Sequence, residues 1–357
     1  MRRKNEEVVM KVGEARKAAA KWVLQLASRE DAFLGAYFSG STVGLPEHAE
    51  LPASSDIDLM VVTAQTIPPM KPGKFRFEQA LLEVTYLSWT QLASAESVLA
   101  DYHLAGGFRT DTIIADSTGR LRRLQSEVGR RFAEKPWVLR RCGHALARIE
   151  GGLRGIDPAA PWHDQVTGWL FPTGVTTHVL LTAALRNPTV RLRYLATREV
   201  LEAYGHSEIY AELLHLLGCA QLTARQAETH LDALARTFDA AAEQARTPFF
   251  FSSDITAGAR PVAIDGSREL IRTGRRQEAV FWIVATFARC HKILAADAPD
   301  LGRRFAPDFH GVLADLGIRE PADLFSRADE VLRFLPRLKA TAEAIIEANP
   351  GVKPGSA

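Results

Sequence analysis

The chain has 357 residues, enough for two domains, and its 46% hydrophobic and 24% charged content is ordinary for a soluble globular protein. A net charge of +2 excludes a protein that binds polyanions over its whole surface, so any nucleic-acid binding would require a local basic patch. Three cysteines without CxxC spacing, Cys142, Cys219 and Cys290, argue against a disulfide framework or a structural zinc site.

The N-terminal segment carries charges throughout and has no uninterrupted apolar core, which predicts a surface helix rather than a signal peptide. The longest mainly apolar stretch, near residues 279–287, is too short to span a bilayer. We therefore expect a cytoplasmic protein with no membrane partner.

The first third of the chain mixes helix and strand patterns. β-Branched and apolar runs predict short strands, and clusters of Pro, Gly and Ser predict the breaks between them. In chain order we predict a helix at 5–29, a strand at 33–38, a loop at 45–55, a strand at 56–62, one or two strands at 75–89, and a last strand at 112–115.

From about residue 121 the apolar residues fall almost wholly at helical spacing. Residues 278–294 are apolar around most of the helix circumference, which predicts a central buried helix. The fold is therefore predicted to be α+β, with a small mixed β-sheet domain at 1–120, an all-helical domain at 121–349 and a flexible tail at 350–357.

Asp56 and Asp58 lie two residues apart in a predicted strand, so their side chains point to the same face. Their carboxylates are then roughly 6–7 Å apart and repel by about 2.5 kcal/mol at an effective dielectric near 20. Met60 and Val62 continue this face as apolar residues, which predicts that the start of the strand opens into a cleft. In a cleft such a pair needs a cation, and Mg²⁺ prefers carboxylate oxygens together with substrate phosphates.

Glu83 interrupts an otherwise apolar predicted strand, where an unpaired charge is costly. If that strand lies beside the aspartates, the three acids could bind one or two metal ions and activate a hydroxyl for in-line attack on phosphorus. The alternative for Glu83 alone is an ordinary charge at a strand edge, and for Asp56 and Asp58 a chance pair before an apolar run.

The predicted strand at 33–38 ends in a Gly- and hydroxyl-rich turn, Ser39-Gly40-Ser41-Thr42. Backbone N–H groups of such a turn can approach a phosphate closely. Gly40, Ser41 and Thr42 are therefore predicted to contact a triphosphate, with an ordinary strand-to-helix turn as the alternative. The sequence has no GxxxxGK[ST] loop or GxGxxG turn that would compete for the phosphate.

The series Gly40-Ser41, Ser55-Asp56-Ile57-Asp58-Leu59 and Leu82-Glu83-Val84-Thr85 resembles the polymerase-β-like nucleotidyltransferase superfamily. Within that superfamily it is most similar to the aminoglycoside adenylyltransferases of the streptomycin/spectinomycin type. The resemblance covers roughly residues 30–90, about a sixth of the chain. It implies a small mixed sheet joined to a helical domain, with ATP and the acceptor held between the two.

The resemblance also implies a role for each matching residue. Asp56 and Asp58 would be metal ligands, Gly40 and Ser41 the triphosphate turn, Ser55 a further polar contact, and Glu83 either the base for the acceptor hydroxyl or a third metal ligand. One departure is the loop between Ser41 and Asp56, which is several residues longer than the family's usual connection.

Arg191, Arg193 and Arg198 follow Asn187-Pro188 in the helical part. At a helix start that faces the cleft, Arg191 and Arg193 would clamp the triphosphate through bidentate hydrogen bonds. The alternative is that all three arginines lie on a solvated helix face.

Trp282, Thr286 and Arg289 fall at i, i+4 and i+7 on the predicted buried helix and form a polar stripe. These residues are candidates to line the acceptor pocket. The favoured alternative is a buried Arg289 paired with a structural carboxylate such as Asp254. The aromatic run at 249–251 is predicted to belong to the core.

Residues 120–141 carry eight basic residues against two glutamates, Glu127 and Glu134. Such an excess is a candidate footprint for RNA phosphates, with a solvated basic helix face as the favoured alternative. The basic residues are Arg120, Arg122, Arg123, Arg130, Arg131, Lys135, Arg140 and Arg141.

Together these patterns predict a magnesium-dependent nucleotidyltransferase. It would move a nucleoside monophosphate, with AMP from ATP as the leading case, to a hydroxyl of a small molecule such as an aminoglycoside. Two alternatives stay open: transfer to tRNA or to a protein, as in toxin-like members of the superfamily, and a non-catalytic nucleotide-sensing protein.

Overall fold

The computed structural model describes residues 10–52 and 55–355, in which a mixed β-sheet region is followed by a long series of helices. The predicted α+β class is confirmed. Residues 5–9 of the predicted first helix, 53–54 of the predicted loop and 356–357 of the predicted tail lie outside the described residues.

The sheet region has one principal sheet of five strands. The elements in chain order are β1 (Met10–Lys11), α1 (Val12–Gln25), β2 (Phe33–Ser39), β3 (Glu50–Leu51), β4 (Ile57–Thr63), β5 (Gly73–Phe77), β6 (Ala80–Ser88), α2 (Ala95–Ala100) and β7 (Ile113–Asp116). The order in the sheet is β5-β6-β4-β2-β7, and β1 pairs with β3 separately. The central strand β4 runs parallel to β6 and antiparallel to β2.

The helical region begins directly after the sheet. Its helices are α3 (Arg120–Arg131), α4 (Lys135–Arg154), α5 (Trp162–Ala183), α6 (Arg193–Ala203), α7 (Ser207–Leu217), α8 (Ala224–Gln244), α9 (Gly266–Arg272), α10 (Arg276–Asp297), α11 (Pro299–Asp315) and α12 (Pro321–Ala348). Helix α10 packs against α5, α8, α9 and α11, and most of its side chains are buried. The predicted central buried helix is therefore confirmed.

Both faces of the sheet are covered, and the burial of β4 alternates as predicted. Ile57, Leu59 and Val61 are buried in a core that includes the apolar side chains of α1. Val62 is buried in a second core, which includes side chains of α2 and α3. Asp58, between Ile57 and Leu59, lies on the opposite face of the strand and lines a cavity.

The apolar stretch at 279–287 is part of helix α10, so the apolar helix is longer than the sequence indicated. Among the described helices, α10 is long and apolar enough to cross a bilayer, with a mean hydropathy of 1.4. However, 83% of that stretch is buried inside the protein. Burial among other helices, and not short length, therefore identifies α10 as a core helix.

Two boundaries differ from the prediction. Strand β4 begins at Ile57, so Asp56 is the last residue of the preceding loop. The tail is held at Lys353, whose backbone N–H donates to Ala133 at 2.9 Å and whose carbonyl accepts from Lys135 at 2.8 Å. These backbone hydrogen bonds attach the described part of the predicted flexible tail to the start of α4.

The aromatic run at 249–251 is only partly core. Phe251 is buried, whereas Phe250 is 73% exposed. The chain turns here, with the N–H of Ser252 donating to the carbonyl of Phe249 at 2.9 Å, so neighbouring rings point in different directions. The core prediction was therefore wrong for Phe250.

Candidate active site

Three carboxylates meet at one end of the neighbouring strands β4 and β6. Asp58 in β4 lies directly opposite Glu83 in β6, and Asp56 precedes β4 by one residue. One carboxylate oxygen from each acid lies within 4.8 Å of the other two. The three acids can therefore offer a joint set of oxygen ligands to a metal ion.

Gly40 lies against the carboxylate of Asp58. Ser39, the last residue of β2, pairs with Asp58, and the chain then turns at Gly40 with a φ of +72°. A Cβ atom on Gly40 would lie 1.7 Å from Oδ2 of Asp58. Glycine is therefore required both by the left-handed backbone and by the space beside this carboxylate.

Two lysines that the sequence analysis missed contact these acids. The ammonium of Lys74, in β5, donates to the carboxylates of both Asp56 and Glu83. The Lys71 ammonium donates to Oε1 of Glu83 at 2.7 Å. The Lys74 side chain is only 5% exposed, so its ion pairs are little screened by solvent.

The pKa values of the acids reflect these contacts. Burial raises the pKa of Asp58 well above its ordinary value, and the charges of Asp56 and Glu83 raise it further. Burial also raises the pKa of Asp56, against the opposing effect of Lys74. Burial acts on Glu83 in the same direction, but the ammonium groups of Lys74 and Lys71 outweigh it and lower the pKa of Glu83 to about 2. Glu83 is thus held ionised.

The donor set fits a hard divalent cation. Asp58 has no hydrogen bond or ion pair with another residue in the described part of the chain, although it lies beside two further acids. Magnesium prefers carboxylate oxygens and leaves positions for substrate phosphates, as three acids facing a cavity allow. Asp56, Asp58 and Glu83 could therefore hold a metal ion together.

The acids line a cavity of about 560 Å³ between the sheet and the helices, a common size for a small-molecule site. Predicted residues on the sheet side are Gly40, Ser41 and Ser55, together with the three acids. The helical side supplies residues 187–192, Asp254, Trp282 and Arg289.

The segment from Asn187 to Arg191 brings the helical region to the turn at Gly40. The side-chain amide of Asn187 donates to the carbonyl of Gly40 at 3.4 Å, a contact that no local sequence pattern predicts. Arg191 lines the cavity and forms no ion pair with a described residue. Burial lowers the pKa of Arg191, and the charge of Asp56 opposes that effect.

Two predicted contacts lie behind the cavity wall. The Thr42 side chain is buried, and its carbonyl accepts a hydrogen bond from Arg16 of α1. Arg193 is 2% exposed, stacks on the Phe281 ring at 3.9 Å and donates through Nε to the carbonyl of Val190 at 2.8 Å. As the first residue of α6, Arg193 points back toward α10, so the structure does not bring it to the acids.

Arg289 and Asp254 form a buried ion pair at 2.8 Å, with side chains 9% and 8% exposed. This pairing is the favoured alternative from the sequence, although both residues also line the cavity. Trp282 lines the cavity as well, whereas the Thr286 hydroxyl donates to the carbonyl of Trp282 at 2.7 Å and does not reach the lining.

The turn at 252–254 reaches the sheet through a close backbone approach at Gly73. A Cβ atom on Gly73, which has a φ of +98°, would lie 2.2 Å from Cβ of Ser253. This approach places Oδ1 of Asp254 at 3.9 Å from the Lys74 ammonium. The acids of the sheet and the Arg289 pair of the helices are therefore connected through Lys74.

The basic stretch at 120–141 is not one free surface. Arg141 is 2% exposed and donates to the carbonyls of Leu99 at 3.0 Å and Phe132 at 2.6 Å. Arg131 and Lys135 form ion pairs with glutamates. Arg122 pairs with Asp111 at 3.6 Å, so four of the eight basic residues have hydrogen-bond or ion-pair partners, which leaves a smaller positive surface than the sequence suggests.

No family model matches the chain, and no curated protein matches it. Among solved structures the chain is similar to a nucleotidyltransferase-like protein from Exiguobacterium sibiricum 255-15, at 13% identity and a TM-score of 0.27. The alignment covers 72% of this chain and 91% of that protein. At that level of similarity, an activity for this chain has to be argued from its own residues.

Proposed function

We propose that the protein is a magnesium-dependent nucleotidyltransferase that moves a nucleoside monophosphate from a triphosphate to a hydroxyl of a small molecule. The observation that carries the proposal is the joint position of Asp56, Asp58 and Glu83 beside the Gly40–Ser41 turn, in one cavity. Neither a chance Asp-x-Asp pair nor a strand-edge glutamate would bring three acids to one cavity beside such a turn.

The triphosphate would occupy the basic part of the cavity next to the Gly40–Ser41 turn. Arg191 has no carboxylate partner among the described residues and can bind phosphate oxygens through two parallel hydrogen bonds. Lys71 and Lys74 add positive charge on the sheet side. ATP is the first nucleotide to test, since the resemblance of the acidic and glycine motifs points to adenylyl transfer.

Asp56, Asp58 and Glu83 would hold magnesium, which when bound neutralises charge on the triphosphate and on the departing pyrophosphate. The ion pairs of Glu83 with Lys71 and Lys74 support a ligand role for Glu83 over a base role. A carboxylate that two ammonium groups hold ionised is a weak proton acceptor.

The acceptor expected from the resemblance is an aminoglycoside, which carries several ammonium groups. Two further carboxylates line the cavity, and both already have partners. Asp254 pairs with Arg289, and Oδ1 of Asp101 accepts the N–H groups of His103 and Leu104 at 2.7 and 3.0 Å. A polycationic acceptor would compete with these contacts, so neutral hydroxyl compounds belong in the test beside aminoglycosides.

The test is to incubate the protein with Mg²⁺ and each α-³²P-labelled NTP, with streptomycin, spectinomycin, neutral polyols or, separately, bulk tRNA. Label on a small molecule supports the proposal. Label on RNA alone would show that the acceptor is RNA and not a small molecule. No transfer to any acceptor, together with no Mg²⁺-dependent nucleotide binding, would contradict it.

Asp56→Asn and Asp58→Asn should each lower transfer by roughly 100-fold or more, because each removes one of the charged metal ligands. The melting temperature of Asp58→Asn should stay near that of the unchanged protein, because Asp58 forms no ion pair with a described residue. The matched control is Glu150→Gln, an acid that is exposed on α4 and should leave transfer unchanged. Full turnover in Asp58→Asn would show that these acids are not the metal site.

A further inference from the structure

Lys74 lies between two of the three acids, Asp56 and Glu83. It lies directly opposite Glu83 in the antiparallel pair of β5 and β6. Its ammonium contacts Asp56 and Glu83 at once, and its side chain is 5% exposed. The chain therefore supplies its own cation to two of the three acids that could hold a metal.

This internal cation is held from three directions. Asp56 and Glu83 approach the ammonium from the sheet, and Asp254 faces it at 3.9 Å from the turn that packs on Gly73. Among the described acids, Lys71 by contrast contacts Glu83 alone, at 2.7 Å, and its side chain is 20% exposed. Lys74 is thus the more strongly bound of the two lysines.

A metal ion and the Lys74 ammonium compete for the same carboxylate oxygens. Asp56 and Glu83 are both in the set of three acids whose oxygens lie within 4.8 Å of one another, and both are partners of Lys74. Binding of a metal to these oxygens requires the ammonium to give up at least part of its contacts. An ammonium displaced inside a buried cavity needs a new anionic partner.

We propose that Lys74 is a positioning residue that acts as an internal counter-ion and couples metal binding to triphosphate binding. This inference rests on the proposed function. Lys74 opposes binding of the metal in the absence of a triphosphate. A displaced ammonium would then have Asp254 as its carboxylate partner, and Asp254 is already paired with Arg289. When a triphosphate binds together with the metal, the displaced Lys74 ammonium donates hydrogen bonds to phosphate oxygens in the same cavity. Lys74 then no longer opposes metal binding.

The test measures Mn²⁺ binding to the full chain by electron paramagnetic resonance at pH 8, with and without α,β-methylene-ATP. In the unchanged protein, Mn²⁺ alone should bind weakly, and the nucleotide analogue should tighten binding. Lys74→Met should tighten binding of Mn²⁺ alone by at least tenfold, roughly the effect of losing one close competing charge. The increase in Mn²⁺ affinity caused by the nucleotide analogue should be smaller in Lys74→Met than in the unchanged protein.

Two variants separate charge from packing. Lys74→Arg keeps the positive charge and should bind Mn²⁺ alone as weakly as the unchanged protein, while Lys74→Gln should behave like Lys74→Met if the methionine variant does not fold. Lys71→Met should change Mn²⁺ binding less, because Lys71 touches one acid only. If Lys74 only stabilised the structure of the site, its removal would weaken Mn²⁺ binding instead of tightening it.

The outcomes distinguish this inference from the proposed function. If Lys74→Met and Lys74→Gln bind Mn²⁺ alone no more tightly than the unchanged protein, while Asp58→Asn abolishes binding, the counter-ion role is overturned and the metal site stands. If the unchanged protein with nucleotide binds Mn²⁺ no better than Asp58→Asn, the metal site fails, and both proposals fail with it.

Discussion

Gly40 and Asp58 approach so closely that no side chain fits between them, because a Cβ on Gly40 would lie 1.7 Å from Oδ2 of the aspartate. The contact joins the end of β2 to the start of β4, where Ser39 and Asp58 are paired. The Gly40–Ser41 turn and the Asp58 carboxylate are therefore packed directly against each other.

Gly40→Ala should lower nucleotidyl transfer by roughly 100-fold, since displacing Asp58 by about an ångström disrupts the alignment of the reacting groups. The alanine would also have to adopt a φ of +72°, which is strained for a residue with a Cβ. Initial rates of label transfer and Mn²⁺ affinity would both report the loss. Gly44→Ala is the matched control, because a Cβ at Gly44 meets nothing within 4 Å and should leave both quantities unchanged.

Removing Arg289 should destabilise the protein strongly. Arg289→Met removes the close partner of the buried Asp254 and leaves it with the more distant Lys74 ammonium at 3.9 Å, and breaking a buried ion pair in this way costs about 3–5 kcal/mol. The change would be measured as the free energy of unfolding in urea. Arg154→Met removes an exposed pair with Glu150 and should cost no more than about 0.5 kcal/mol. Equal losses in the two variants would mean that the buried pair does not stabilise the fold.

His291 should make the protein sensitive to acid. Its ring stacks on Phe309 at 4.8 Å, and Nε2 is buried without a partner among the described residues. Burial, together with the charges of the nearby His163 and His310, lowers the pKa of His291 to about 4. The unfolded chain therefore takes up this proton as pH falls below about 6.5, before the native state does, so stability is lost between about pH 6.5 and 4.

His291→Phe should remove that part of the pH dependence, because phenylalanine can stack on Phe309 and does not titrate. Between pH 7.5 and pH 5, the unchanged protein should lose about 2 kcal/mol of unfolding free energy relative to the variant. Urea unfolding at the two pH values checks this. A parallel fall in both proteins would show that His291 is protonated in the native state over this range.

The residues that the sequence identified at the site share a local signature. Asp56 and Asp58 are visible from spacing along one strand, and Gly40–Ser41 from the turn that follows another. Glu83 is visible because a charge interrupts an apolar run. The central helix α10 is likewise predictable, because its apolar residues surround most of the circumference.

Contacts made across distant segments could not be predicted in the same way. Asn187 meets Gly40 only because the helical region folds back over the sheet, and nothing near Asn187 in the sequence encodes that approach. The direction of Arg193 is open in the sequence for the same reason, since a helix start can face either the cavity or the core. Which side it faces depends on how α6 packs beside α10.

The turn between β5 and β6 has a consequence for how this protein can vary. Phe77 pairs with Ala80 across Glu78 and Gln79, both with positive φ, and this two-residue turn sets the register that places Lys74 opposite Glu83. One residue more or less between them would turn one of the two side chains to the other surface of the sheet. We therefore expect functional relatives to keep the number of residues from Lys74 to Glu83 fixed.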